Sequence, residues 1–180
     1  MLNGKPLLGV VVAPARMEMY SGGGGFPAER RLILDGSTER LTTARETLDM
    51  SSCHALTHVN SEQDRINRCF ADDLPKRFHN SVRRVWMWGC GLLALTAISR
   101  GSHHLFFQMF TYPWDVVPGL AILRAAEGCD TTWPPSKGSW ELGSATQRTG
   151  LIAASNKHIL EQFVRKFGQQ PRSRTRAAGV

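Results

Sequence analysis

Short apolar runs separated by polar, glycine-rich segments set the pattern of this chain. Runs rich in β-branched and aromatic residues predict strands, and they cover residues 7–14, 84–88, 105–110, 129–133 and 150–155. Runs with helical spacing predict helices at residues 61–71, 92–98, 116–127 and 158–167, the last capped by Asn156. Alternating strands and helices indicate an α/β fold. The order between residues 84 and 127 predicts parallel neighbouring strands joined by right-handed crossovers.

The first apolar run predicts one arm of a β-hairpin. Residues 16–20 alternate in polarity and predict the partner strand, and the glycines at 22–25 predict a flexible turn after it. A glycine run can also cradle a phosphate, but no strand-to-helix context and no Lys-Ser or Lys-Thr pair follows, which argues against a P-loop. A short strand is predicted at residues 31–34.

Asp115 is the residue of greatest chemical interest. It follows the strand-breaking Pro113 and stands where the N-cap of the helix at 116–127 belongs. That helix is apolar nearly all round, so we expect it to be buried, with Gly128 as its left-handed stop. Pro118 lacks an N–H, which leaves the carboxylate with capacity for a partner outside the helix. Two interpretations stay open, an ordinary N-cap and a ligand for a hard cation.

A second candidate is the turn Gly89-Cys90-Gly91, here called the glycine turn. It leads from the strand at 84–88, which we expect to be buried, into the helix at 92–98. The N–H groups at the start of a helix can bind an oxyanion. A tight turn that needs glycine for close backbone approach explains the same residues equally well.

The histidines and cysteines give weaker signals. His54 and His58 are four residues apart and could share a helix face as metal ligands, but no third ligand follows, so we interpret them as a chance pair. The cysteines are widely spaced and predict free thiols in a reducing compartment, hence a cytoplasmic protein; they are Cys53, Cys69, Cys90 and Cys129. The apolar run around residues 88–98 is too short to span a membrane.

The net charge of the chain changes the functional interpretation little. The 180 residues carry a net charge of +7 with a pI near 9.7, values that often accompany nucleic-acid binding. Part of the excess lies in a terminal segment rich in arginine, glutamine and serine, which is typical of a solvated tail. We therefore expect no nucleic-acid partner, and we predict one folded region at residues 1–168 followed by a disordered basic tail at 169–180.

Two motifs resemble the inositol monophosphatase family, which comprises magnesium-dependent sugar and nucleotide phosphatases. The family's Trp-Asp signature is matched at Trp114, Asp115, Gly119, Ala126 and Gly128, but not at Pro118 or Glu127. A family hairpin pattern is matched at Gly9, Val10, Pro14, Glu18, Met19 and Tyr20. The resemblance covers roughly residues 5–167. It implies a layered mixed sheet with packed helices, the C-terminal half of an αβαβα sandwich.

The resemblance also implies a chemistry. The family hydrolyses small phosphomonoesters, such as sugar, inositol or nucleotide phosphates, with Mg²⁺ as cofactor. By this similarity Asp115 is one metal ligand, and Gly89 and Cys90 lie beside the substrate, with Cys90 in place of the family's hydroxyl residue. Gln108 stands where many members have a glutamate that contacts substrate hydroxyls, so the usual inositol preference is not implied.

The family's other metal ligands have no counterpart in this chain. Its early Glu-Glu pair and its Asp-Pro-x-Asp-Gly-Thr motif are both absent, and the segment at 35–38 is only a faint echo that we interpret as a turn. We therefore expect a truncated phosphatase that is inactive as it stands. The alternative is a non-catalytic remnant that acts as a binding or interaction module. Apolar surface left uncovered by the missing half would favour a homo-oligomer.

Overall fold

Two β-sheets with a pair of helices packed between them form the core of the molecule. The structure, a computed structural model, describes residues 1–46, 48–58, 77–135, 139–141 and 148–168. The helix predicted at 61–71 and the tail predicted at 169–180 lie outside the described residues. The expected α/β class with a mixed sheet is confirmed.

Most elements agree closely with the sequence prediction. The strands are β1 Leu8–Ala13, β2 Glu18–Gly23, β3 Phe26–Leu32, β4 Thr38–Arg40, β5 His54–His58, β6 Arg84–Trp86, β7 Leu105–Thr111, β8 Cys129–Trp133 and β9 Thr149–Ala154. The helices are α1 Gly91–Ser99, α2 Val117–Ala125 and α3 Lys157–Phe167. The helices α1, α2 and α3 and the strands β7, β8 and β9 begin and end within two residues of the predicted bounds.

The first sheet is antiparallel and has the order β1-β2-β3-β4. β1 pairs with β2, so the predicted hairpin is confirmed. The strand predicted at 31–34 is wrong, because β3 begins at Phe26 and ends at Leu32, and β4 was not predicted. The chain leaves β3 where Gly36, at a φ of 72°, donates its N–H to the Leu32 carbonyl at 2.9 Å and turns the backbone toward β4.

The second sheet is mixed and has the order β6-β5-β7-β9-β8. β5 is parallel to both β6 and β7, whereas β9 is antiparallel to β7 and β8. The parallel orientation is confirmed, but β6 and β7 are not neighbours as predicted, because β5, which was not predicted, lies between them. The strand expected to be buried at 84–88 is also wrong: β6 is a three-residue edge strand with Arg84 and Trp86 exposed.

The helices α1 and α2 fill the space between the two sheets. Leu120 and Leu123 of α2 belong to a buried cluster that includes residues of α1 and Phe106 of β7. Ile122 points the other way and packs in a cluster with Val11 of β1. Apolar side chains thus surround α2 on two sides, and its predicted burial is confirmed.

The outer face of the second sheet is covered by α3. Phe163 is fully buried there, with its ring centroid 5.1 Å from that of Phe107 and 6.0 Å from that of Trp133. Asn156 caps this helix as predicted, because its Oδ1 accepts a hydrogen bond from the Ile159 N–H at 3.1 Å. The sheet is therefore buried on both faces over its central strands.

The residue that ends α2 in the left-handed conformation is Glu127, with a φ of 70°, and not Gly128 as predicted. The helix stops at Ala125, two residues earlier than predicted, so the reversal falls one residue before the glycine. Gly128 provides space instead, because a β-carbon there would lie 2.3 Å from Leu123 Cδ1.

A buried ion network joins the first sheet to the end of α1. The Glu18 carboxylate accepts hydrogen bonds from the Tyr20 hydroxyl at 2.6 Å and from Arg30 at 2.9 Å, and Arg100 lies 3.6 Å away. Burial raises the pKa of Glu18, but the two hydrogen bonds and the nearby positive charges outweigh it and hold the pKa below its ordinary value.

A second network fixes α2 to β8. Arg124 donates from Nε and Nη2 to the two carboxylate oxygens of Asp130, both at 2.8 Å. Nη2 also donates to the Trp140 carbonyl oxygen at 2.7 Å, and the Trp140 N–H donates back to Asp130 at 2.7 Å. These bonds hold Trp140 against the helix that begins beside Asp115.

Candidate functional site

Three segments converge at the edge of the second sheet where its parallel strands end. β5 and β7 are parallel, so their carboxyl ends lie at the same edge, and His58 stands opposite Gln108 in their register. The glycine turn leads from β6 into the start of α1, and the turn Pro113–Asp115 follows β7. Ligand sites in open α/β sheets commonly lie outside the carboxyl ends of the strands.

Gly91 is the point at which these segments touch. A β-carbon at this position would lie 2.9 Å from the Asp115 carbonyl oxygen and 3.5 Å from Gln108 Oε1. Only glycine allows this approach without displacing the Asp115 backbone. The structure therefore brings together the glycine turn, Gln108 and the Asp115 segment, which the sequence singled out separately.

Gln108 has a buried acceptor with no partner. The residue is 6% exposed, and its Nε2 donates to the Phe110 carbonyl oxygen at 2.9 Å. Its Oε1 is buried and has no hydrogen-bond partner. Leaving a buried acceptor unpaired costs about 1–3 kcal/mol. This unpaired acceptor lies beside the glycine turn, 3.5 Å from the β-carbon position of Gly91.

Asp115 is not the N-cap of α2, so that interpretation is wrong. It is the last residue of the 3-10 turn Pro113–Asp115, and Val116 occupies the N-cap position. The extra turn arises because Pro113, fixed near helical φ, begins a short 3-10 segment before the helix proper. The Asp115 side chain is exposed, and it forms no hydrogen bond or ion pair with any residue that the structure describes. Its carboxylate is available to bind a ligand.

The start of α1 has no side-chain cap. Cys90 is the N-cap, with an extended backbone, and its side chain makes no capping hydrogen bond. The first N–H groups of a helix have no partner within the helix. Gly89 is exposed and has a φ of 68°, so it forms the turn that leads the chain from β6 into this helix. The arrangement is suited to an oxyanion.

An aromatic surface flanks the Asp115 segment. Trp114 is exposed and stacks on Tyr112, with ring centroids 4.4 Å apart and planes 11° from parallel. The guanidinium carbon of Arg148 lies 4.4 Å from the Tyr112 ring centroid. In the sequence, Trp114 was interpreted only as part of a motif. The Tyr-x-Trp spacing next to Asp115 could have predicted this aromatic surface.

The two histidines considered as a pair lie in different surroundings. His54 and His58 are at opposite ends of β5, not on a helix, so the idea of a shared helix face is wrong. His54 lies in contact with His103 and His104. Burial lowers the pKa of His103 to about 4, and the nearby His54 and His104 act in the same direction. His58 instead lies near the glycine turn, because its Cε1 is 4.0 Å from the β-carbon position of Gly89.

The described residues do not assemble a metal cluster. Among them, no three His, Cys, Asp or Glu side chains are placed to share one ion. Asp115 therefore offers a single carboxylate, and magnesium usually needs more than one oxygen ligand from protein or substrate, together with water. The described side chains therefore supply one ligand of a magnesium site and not the complete set of ligands.

A model of the inositol monophosphatase family matches residues 1–172. Among curated proteins, the chain is 27% identical to inositol monophosphatase 3 of Solanum lycopersicum over 169 residues, which are 92% of this chain and 57% of that protein. It is also 27% identical to the chloroplastic bifunctional phosphatase IMPL2 of Arabidopsis thaliana, over 89% of this chain and 43% of the relative. The chain thus spans about half the length of these relatives.

Solved structures share the fold. The Mycobacterium tuberculosis SuhB structure superposes with a TM-score of 0.73 at 19% identity, covering 94% of this chain and 63% of that one. The inositol monophosphatase of Anabaena superposes with a TM-score of 0.69 at 20% identity, covering 92% of this chain and 61% of that one. At these identities the likeness concerns the fold alone.

Proposed function

The chain belongs to the inositol monophosphatase family, and from that premise we propose that it forms the substrate-binding side of a magnesium-dependent phosphomonoesterase site. The observation that carries the proposal is the unpaired Gln108 Oε1, which faces the glycine turn next to the Asp115 segment. A buried acceptor, a helix start and an exposed carboxylate at one edge suit a small, polar, anionic substrate.

Each part of the site has its own task in this proposal. The N–H groups of the glycine turn and the start of α1 bind phosphate oxygens, because they are donors with no partner in the helix. Gln108 Oε1 accepts a hydrogen bond from a substrate hydroxyl, as Gln108 Nε2 is already bonded to Phe110. The substrate is therefore a phosphomonoester of a sugar, an inositol or a nucleoside.

Asp115 is proposed as one ligand of magnesium. When bound in such a site, magnesium activates a water and neutralises charge on the leaving oxygen. Asp115 alone would hold a hydrated ion loosely, since its carboxylate is exposed and no second acidic side chain joins it within the described residues. The chain by itself is accordingly proposed to bind magnesium weakly and to show no turnover.

The second candidate function is a non-catalytic binding module. The observation that favours it is the same single carboxylate, combined with a substrate-binding edge that needs no metal to hold a phosphate. Substrate affinity without turnover, persisting after a complete set of family ligands is supplied, would support this candidate over a truncated enzyme.

A cytoplasmic location is part of the proposal. The cysteines that the structure describes, Cys53, Cys90 and Cys129, are all free thiols, which suits a reducing compartment. Within the described ranges, no helix has both the length and the apolar character needed to cross a membrane.

The test is an assay against inositol phosphates and 3′-phosphonucleotides at millimolar magnesium. The chain alone should show no turnover, and mixing or fusing it with a family N-terminal half that carries the Glu-Glu and Asp-Pro-x-Asp-Gly-Thr motifs should restore it. Asp115→Asn should then abolish the restored activity. Turnover by the chain alone that Asp115→Asn abolishes would contradict the proposed incomplete site.

A further inference from the structure

We propose that a cavity at the far end of α2 from Asp115 binds a small anion that carries an aromatic or other apolar group. The cavity, here called the hairpin cavity, lies where the residues before β1, the turn between β2 and β3, the end of β4 and one face of α2 meet. Its volume is about 630 Å³, within the range of roughly 300–1,000 Å³ that is common for small-molecule sites. It is separate from the candidate site, because neither Gln108, Asp115 nor the glycine turn lines it.

The positive charge of the hairpin cavity comes from Arg40, the last residue of β4. Arg40 is exposed and lines the cavity, and it forms no ion pair or hydrogen bond with any residue that the structure describes. Glu29 stands opposite it in the register of β3 and β4 but forms no ion pair with it. Among the described residues, no Asp or Glu lines the cavity. An unpaired guanidinium in a space without acidic side chains attracts an anion.

Arg124 of α2 also lines the hairpin cavity, and its guanidinium is held in place. Its Nε and Nη2 atoms donate to the Asp130 carboxylate, each at 2.8 Å, and Nη2 also donates to the Trp140 carbonyl oxygen. A guanidinium donates from its other terminal nitrogen as well, and Nη1 has no hydrogen-bond partner among the described residues. Because Asp130 neutralises Arg124, Arg124 can add hydrogen bonds to a ligand while Arg40 supplies the net charge.

The turn between β2 and β3 supplies backbone donors. Gly24 and Gly25 line the cavity outside the strands, and neither N–H group forms a backbone hydrogen bond with a described residue. A β-carbon at Gly25 would meet no atom within 4 Å, so the space beside the turn is open. Free N–H groups of a turn are suited to an oxyanion. The turn therefore adds uncharged donors to the charge of Arg40.

The rest of the cavity wall is largely apolar. Phe26 is 68% exposed and Leu7 is 45% exposed, and both line the cavity together with the buried Ala121 of α2. An exposed phenyl ring can stack on a planar group or pack against an alkyl group. A ligand that suits both parts of the wall has an oxyanion at one end and an apolar group at the other. Aryl phosphates, phosphonates and carboxylates have this character.

The experiment titrates two phosphonates into the full chain without magnesium and follows the backbone amide signals by NMR. Neither is a phosphomonoester; phenylphosphonate carries an aromatic group and methylphosphonate lacks one. The amide signals of Gly24 and Gly25 should shift with saturation, and phenylphosphonate should bind about threefold more tightly or better. Arg40→Gln should weaken the binding of both about tenfold, as for loss of a hydrogen bond to a charged group. Phe26→Ala should remove the difference between the two phosphonates.

Arg31→Gln is the matched control, because Arg31 is an exposed arginine of the same sheet that does not line the cavity. It should bind both phosphonates like the unaltered chain, and thermal melts check that each variant is folded. An equal loss of affinity in Arg31→Gln and Arg40→Gln would overturn the proposal, since it would indicate a general effect of charge. The absence of saturable shifts at Gly24 and Gly25 would overturn it as well. Shifts confined to residues 89–91 would overturn the hairpin cavity while leaving the proposed function standing.

Discussion

Gly91 and Asp115 are in backbone contact, since a β-carbon on residue 91 would lie 2.9 Å from the Asp115 carbonyl oxygen. Gly91→Ala must therefore displace the Asp115 segment or the start of α1. We expect a stability loss of about 1–3 kcal/mol and weaker phosphate binding, measured by urea denaturation and by titration. Gly36→Ala is the control, because that residue forms a partly exposed, positive-φ turn in the other sheet. It should lower stability without changing phosphate affinity, and a similar affinity loss in both variants would argue against a specific contact.

Asp130 is the centre of the second network. Asp130→Ala leaves Arg124 Nε and the Trp140 N–H without their acceptor, so we expect a loss of about 3–5 kcal/mol in the free energy of unfolding. The exposed pair Lys157–Glu161, with a 3.6 Å separation, provides the control. Glu161→Ala should cost less than about 0.5 kcal/mol. Equal effects of the two substitutions would show that the buried network adds no stability.

His103 makes stability depend on pH. Its pKa is about 4 in the folded protein and about 6.5 in an unfolded chain, so between these values the unfolded state binds the proton more readily. The stabilisation is complete above pH 6.5 and is lost as the pH falls toward 4. Since the ring is partly exposed, we expect a discounted loss of about 1–2 kcal/mol. Melting curves between pH 7 and pH 4 should show a smaller decrease for His103→Gln than for the unaltered chain. Parallel curves would contradict this prediction.

The outer face of β1 should promote self-association. Leu8, Val10 and Val12 alternate along the strand and are 54%, 54% and 51% exposed. Within the described residues, β1 is an edge strand with no neighbour on its outer side. We expect concentration-dependent association by sedimentation velocity, reduced by Val10→Lys, because a charge on an exposed edge opposes strand pairing. Thr38→Lys, on the opposite edge, is the control and should leave association unchanged. A monomer at all concentrations would refute the prediction.

Local patterns predicted the elements whose residues bury one clear face. The apolar runs of β7 and β9 and the polar-capped α3 lie almost where the sequence placed them. β5 was missed because its buried centre, at residues 55–57, is only three residues long and has a histidine at each end. Its insertion between β6 and β7 depends on contacts far apart in sequence, which periodicity does not record.

The site could be predicted only in part from the sequence, because it too depends on contacts between residues far apart in the chain. The motif residues around Asp115 and the glycine turn could be singled out, but not their contact through Gly91. The Gln108 Nε2 group donates to the Phe110 carbonyl oxygen, two residues away, and leaves Oε1 unpaired. Composition does not reveal this side-chain orientation.

The position of α2 between the two sheets has a consequence for how the protein unfolds. Leu120 and Leu123 belong to the apolar cluster of the second sheet, whereas Ile122 belongs to that of the first. Detaching either sheet from this helix would expose side chains that the other sheet needs in place. Opening should therefore be cooperative across both layers, and the slowest-exchanging amides of the two sheets should share one protection free energy.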